Sequence, residues 1–142
     1  MDTYVKDMMK KQIVSIDVSL TVQEAAKIME DTGVSCLVVT KENVPVGMIT
    51  ERDFVTRIAS LDKSSSTLVQ NIMSVPLITS SPSDTAKKLA ELMKEKKIHK
   101  VPIMEGSHLI GIVTSTDLIT KCIIDSDFEM RQICNSFAQM AF

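Results

Sequence analysis

The feature that most limits what this 142-residue chain can fold into is an octet that occurs twice. Gly47-Met48-Ile49-Thr50-Glu51-Arg52-Asp53-Phe54 recurs as Gly111-Ile112-Val113-Thr114-Ser115-Thr116-Asp117-Leu118, at an offset of 64 residues. At the same offset, without a gap, Val5 matches Val69, Met9 matches Met73, Ser19 matches Ser83, Thr21 matches Thr85, Ala26 matches Ala90 and Met29 matches Met93. The apolar pattern persists where identity fails, as in Ile13/Leu77, Leu37/Val101, Val39/Ile103 and Phe54/Leu118. A period of this length signals internal duplication, so each half is one copy of the same supersecondary unit. About sixty residues alone bury only roughly 60% of their unfolded surface, so the halves are expected to share a core as a pseudo-twofold module.

Within the first copy, Val5-Lys6-Asp7-Met8-Met9 reads as a short helical lead-in, and Ile13 to Val18 is a β-branched run that predicts a strand. Ser19 and Thr21 offer N-caps for a helix from Val22 to Asp31, whose apolar residues Val22, Ala25, Ala26, Ile28 and Met29 share one face, and Gly33 suits its C-cap. Leu37-Val38-Val39 and Val46 to Ile49 then form a hairpin, and a second helix opens at Thr50 and runs to Ala59. The second copy repeats this with a strand at Leu77-Ile78-Thr79, a helix from Ser83 or Asp84 to Lys97, a hairpin around Glu105 to His108 and a helix from Thr114. The predicted fold is therefore α/β (α+β): two β-α-β-β-α repeats over residues 1–62 and 63–124, and a helical extension over 125–142. Phe128, Ile133, Phe137, Met140 and Ala141 give that extension an apolar stripe, read as packing back on the module in preference to binding a partner.

Composition narrows the function classes. Hydrophobic residues at 44% with 24% charge describe a globular chain, and no apolar run approaches the ~20 residues of a membrane span. Met1-Asp2-Thr3-Tyr4 leads directly into repeat material, so no signal peptide is expected. A net charge of −2 with no basic stripe gives no reason to expect nucleic acid. Cys36, Cys122 and Cys134 lack metal-ligand spacing and suit a reducing cytoplasm. Neither a glycine-rich phosphate loop nor a catalytic acid pair is present, no Ser, Cys or carboxylate pairs with His99 at an evident sequence spacing, and His108 lies in a turn, so no catalytic residues, no metal site and no enzyme activity are expected.

The octet itself has two readings. Threonine followed three residues later by an acid, at a strand-to-helix turn, is the pattern of a capping box, which needs no ligand. The same geometry places a hydroxyl and a carboxylate on one opening, where a carboxylate accepts both hydroxyls of a ribose and a threonine bonds ribose or phosphate. A cap alone would not require the glycine and two apolar residues to recur ahead of it.

The lead-ins Val-Lys-Asp-Met-Met and Val-Gln-Asn-Ile-Met, the run Ile98-His99-Lys100-Val101-Pro102-Ile103 and both octets make the chain resemble a tandem pair of cystathionine-β-synthase (CBS) domains, a Bateman module, over roughly Val5 to Lys121. The resemblance implies two clefts between the repeats that bind adenosine-containing ligands, and association into a homodimer. Carried over residue by residue, Asp53 and Asp117 would hold ribose hydroxyls, with Thr50 and Thr114 beside ribose or phosphate. Lys11, Gln12, Val34, Ser35 and Cys36 would complete the Asp117 cleft; Val75, Pro76, Ile98, His99 and Lys100 would complete the Asp53 cleft.

The clefts are not expected to be equal. Arg52 lies beside Asp53 where Thr116 lies beside Asp117, and His99 and Lys100 would face the Asp53 cleft, which leaves Lys11 as the base of the other. A phosphorylated ligand is therefore expected to bind more tightly at Asp53. The leading function is a cytoplasmic regulatory module sensing AMP, ADP, ATP or an S-adenosylmethionine-type ligand for an unknown effector. The alternative is an interaction protein that keeps the fold and binds no ligand, its two aspartates serving as caps. A small nucleotide hydrolase or transferase would need an activated nucleophile, which the sequence lacks.

Overall fold

Short-range hydrogen bonding sets the boundaries of each element in the computed structural model, which describes residues 2–124, 131–133 and 135. The expected helix from Asp125 to Phe142 lies almost wholly outside the described residues. The chain divides into two units, one of Ile13–Ile78 and one joining Met1–Gln12 to the chain from Thr79 onward. Each lead-in therefore belongs with the body of the other repeat. Val5 is fully buried among Ala86, Leu89, Met93, Val101, Ile103, Val113 and Leu118. Val69 and Ile72 are buried with Ile16, Val22, Ala25, Leu37, Val39, Ile49 and Ile58. Each unit has its own apolar cluster, and what the repeats exchange is the lead-in.

In the Ile13–Ile78 unit, β1 (Ser15–Asp17) pairs parallel with β2 (Cys36–Lys41), and β2 pairs antiparallel with β3 (Val44–Thr50). Helix α1 (Val22–Thr32) begins at Thr21, whose Oγ1 accepts from Glu24 N–H at 3.2 Å while the Glu24 carboxylate accepts from Thr21 N–H at 3.3 Å. Of the two predicted caps, Thr21 acts and Ser19 does not; Ser19 donates both its N–H and its hydroxyl to Asp17. Those bonds hold the Asp17 carboxyl below its ordinary pKa. Helix α2 (Glu51–Asp53) continues as a wider π-type helix over Phe54–Ala59. The lead-in turn Val69–Asn71 is pinned to this unit by Val69 N–H to the Leu20 carbonyl at 2.8 Å.

The other unit carries the turn Val5–Asp7, α3 (Ala86–Lys96), the antiparallel hairpin β4 (Lys100–Glu105) and β5 (His108–Thr114), and α4 (Ser115–Ile124). The strand expected at Leu77 to Thr79 does not form. Only Ser80 reaches the hairpin, as a bridge to Ile103, because the chain turns at once: Asp84 accepts from Ser80 Oγ at 2.7 Å and Ser81 N–H at 2.8 Å. Burial works to raise the Asp84 pKa, but the bonds from Ser81 and Ser80 and the ion pair with Lys88 outweigh it and lower it. With Asp84 committed to that turn, Thr85 caps α3 by accepting from Lys88 N–H at 3.1 Å, so the helix starts later than expected. Among the described residues, no helix is long and apolar enough to cross a membrane.

The helix ends differ in a measurable way. Gly33 closes α1 in the left-handed region with φ 76°, whereas Lys97 closes α3 with φ 55°. A side chain in that region costs about 1 kcal/mol that glycine avoids. Lys97→Gly is expected to raise stability by about 0.5–1 kcal/mol in urea unfolding. No gain would mean that the Lys97 side chain contributes contacts of equal worth.

Candidate functional site

Each octet folds in its own unit in the same way. Strand β3 buries Met48 and Ile49, β5 buries Ile112 and Val113, and the strand ends on the threonine from which the next helix starts. The helix start is tied back to the neighbouring strand entry: Glu51 N–H donates to the Ser35 carbonyl at 3.1 Å, and Ser115 N–H to the His99 carbonyl at 2.7 Å. Both aspartates then fold back over the turn. Thr50 N–H donates to Asp53 Oδ2 at 2.8 Å, and Thr114 N–H donates to Asp117 Oδ2 at 2.8 Å. The cap reading is thus correct as geometry, and it occupies one carboxylate oxygen in each case.

The octet glycines are set by close approach. A Cβ on Gly47 would lie 2.8 Å from the Ser74 carbonyl oxygen, and one on Gly111 would lie 2.8 Å from that of Lys10. Reciprocal backbone bonds fix both contacts, Met48 with Ser74 at 3.1 and 2.9 Å and Ile112 with Lys10 at 2.9 and 2.9 Å. Lys10 and Ser74 therefore occupy equivalent places.

The second carboxylate oxygen distinguishes the sites. Asp53 Oδ1 lies 3.4 Å from Arg57 Nε, one helical turn further on, and Arg57 Nη1 also donates to the carbonyls of Ile72 at 2.8 Å and Met73 at 3.4 Å. Asp117 Oδ1 lies 3.2 Å from Lys10 Nζ. Neither base was singled out in the sequence. Arg57 was legible as an i,i+4 partner of Asp53. Lys10 was not, because its place beside Asp117 exists only when the lead-in packs on the other repeat. The expectation that Lys11 is the base available to Asp117 is corrected accordingly.

Of the other predicted residues, Thr50, Arg52, Asp53, Val34, Ser35, Cys36, Val75 and Pro76 fall in the Ile13–Ile78 unit. Thr114, Thr116, Asp117, Lys11, Gln12, Ile98, His99 and Lys100 fall in the other. Arg52, Val75, Pro76, Lys11, Gln12 and Thr116 are exposed, while Cys36 is buried at the start of β2. His99 Nδ1 is 3.4 Å from Ser115 Oγ. Among the described residues, no group of three or more His, Cys, Asp or Glu side chains is placed to hold a metal ion.

A duplicated scaffold that sets a capped, nearly buried carboxylate at each strand-to-helix turn, with side chains 10% and 9% exposed, defines a paired-domain protein. The chain belongs to the CBS-domain family: the CBS domain model matches residues 5–60 and 69–123. It is 32% identical over 114 residues to the CBS domain-containing protein YhcV of Bacillus subtilis, covering 80% of this chain and 81% of that protein. The structure of the CBS-domain containing protein ATU1752 from Agrobacterium tumefaciens superposes with a TM-score of 0.75 at 27% identity, covering 84% of this chain and 93% of the other. The CBS domain pair of protein MJ0100, in complex with 5′-methylthioadenosine and S-adenosyl-L-methionine, superposes with a TM-score of 0.73 at 28% identity, covering 83% and 94%. Proteins built from such pairs are regulatory.

Proposed function

We propose that this chain is a ligand-sensing regulatory module that binds adenosine-containing ligands, with Asp53 and Asp117 accepting the ribose hydroxyls and Thr50 and Thr114 beside them. The observation that carries the reading is the doubled turn in which the threonine N–H orients Asp Oδ2 at 2.8 Å in both repeats. A carboxylate has about four acceptor positions, and the cap leaves the other oxygen to a cation or to a diol. The adenosine ligands of the MJ0100 pair support the same ligand class. As the family resemblance implies, the remaining residues named in the sequence would complete two clefts between the repeats. A cytoplasmic homodimer acting on a separate effector, without catalysis, completes this reading.

One observation favours the alternative of a ligand-free interaction protein: the local bonds that a structural role requires are already made at both aspartates. Calorimetric and thermal-shift titrations with AMP, ADP, ATP, S-adenosylmethionine and methylthioadenosine separate the two. One ligand is expected to stabilise the protein, by about 2.7 kcal/mol at a hundredfold excess over Kd, and Asp53→Asn or Asp117→Asn to abolish that gain while the variant stays folded. If none binds at millimolar concentration, the interaction-protein reading replaces the sensor.

A further inference from the structure

The two sites share a backbone and differ in how their counter-ion is held. Arg57 is anchored at both ends of its guanidinium, on Asp53 Oδ1 and on the Ile72 and Met73 carbonyls, so leaving Asp53 would also disturb the lead-in. Lys10 is the reverse case. Its backbone is fixed to Ile112 by two bonds of 2.9 Å, but its side chain is 67% exposed and reaches Asp117 through one ammonium contact of 3.2 Å. The Asp117 side chain is only 9% exposed, so the pair opens on the lysine side alone, where a solvated ammonium on a stem that turns freely about a fixed Cα can leave. In the other unit the equivalent position is Ser74, which carries no charge.

We propose that Lys10 is an exchangeable counter-ion that makes the Asp117 site selective for phosphorylated ligands. With the site empty it neutralises Asp117. When a ribose diol takes Asp117 Oδ1, the ammonium is released and swings to the ligand's phosphate. An uncharged nucleoside displaces the same contact and returns nothing to the ammonium. The site at Asp53 has no such exchange, since its cation is held by backbone carbonyls. This inference rests on the ligand-sensing reading, and it gives the Asp117 site a phosphate preference that the sequence had placed at Asp53.

The test is calorimetry with adenosine, AMP, methylthioadenosine and S-adenosylmethionine on the wild type, Lys10→Met and Lys10→Arg, each also in an Asp53→Asn background so that the Asp117 site reports alone. Lys10→Met is expected to weaken AMP about tenfold, the scale of one charge-assisted hydrogen bond, while adenosine binding is unchanged or tighter because its competitor is gone. Lys10→Arg should hold AMP near the wild-type affinity. Equal changes for AMP and adenosine, or no change for AMP, would overturn the exchange. If the wild type binds only methylthioadenosine or S-adenosylmethionine, the sensor reading stands and this inference falls; if it binds none of the four, both fall.

Discussion

Gly111→Ala is expected to cost about 2–3 kcal/mol in urea unfolding, a large effect for one methyl group. The added Cβ would stand 2.8 Å from the Lys10 carbonyl oxygen and 3.1 Å from Met9 Sδ. The methionine can yield, since its side chain is flexible. The carbonyl cannot yield cheaply, because it accepts from Ile112 N–H at 2.9 Å, and moving it breaks the bridge that seats the lead-in. Gly47→Ala meets the same obstacle, with the Ser74 carbonyl at 2.8 Å and Met73 Sδ at 2.9 Å. Gly33→Ala provides the control: its φ of 76° strains any side chain, yet nothing lies within 4 Å, so about 1 kcal/mol is expected. If Gly111→Ala costs no more than Gly33→Ala, close approach is not what requires glycine in the octet. Gly111→Ala should also displace Lys10 from Asp117.

That contrast shows which parts of the fold were legible. Gly33 and Thr21 were readable because a cap depends on neighbours in sequence, and both act as predicted. The hairpins followed from β-branched runs around short polar turns, and the register β2–β3 is mirrored by β4–β5, down to a bulge at matching places. The strand at Leu77 to Thr79 was overcalled because its apolar residues match Ile13 to Ser15, while the serines and Asp84 that turn the chain away lie just beyond them. At the sites, the threonine–aspartate pairs were visible as a three-residue spacing within one turn. The counter-ions were only half visible: Arg57 shares a helix with Asp53, but Lys10 meets Asp117 across more than a hundred positions of sequence. Repeat alignment finds what is duplicated and is blind to where a duplicated piece packs.

The same blindness predicts how the chain can be cut. A fragment ending at the repeat boundary, residues 1–62, is expected to be largely unfolded, while residues 13–78 keep helix and sheet and unfold cooperatively. The shorter cut discards Val69 and Ile72, which are 0% and 3% exposed in the cluster around Leu37 and Ile49. Each buried aliphatic side chain of this kind is worth roughly 1.5–3 kcal/mol, and a unit of about sixty residues has only a few kcal/mol in hand. It also strands backbone donors: Val22 N–H loses the Thr67 carbonyl at 2.8 Å, and Met48 N–H loses that of Ser74 at 3.1 Å. Arg57 loses both carbonyls that hold it against Asp53. In exchange, 1–62 retains Val5, whose buried neighbours Leu89, Met93 and Leu118 are all missing from it. Far-UV circular dichroism and urea titration of the two fragments decide the matter. If 1–62 is as structured as 13–78, the lead-in exchange is dispensable and the sequence repeat is itself the folding unit. If 13–78 alone folds, each octet carboxylate sits in a unit built from both repeats, and the packing of one lead-in then bears directly on the carboxylate of the other octet.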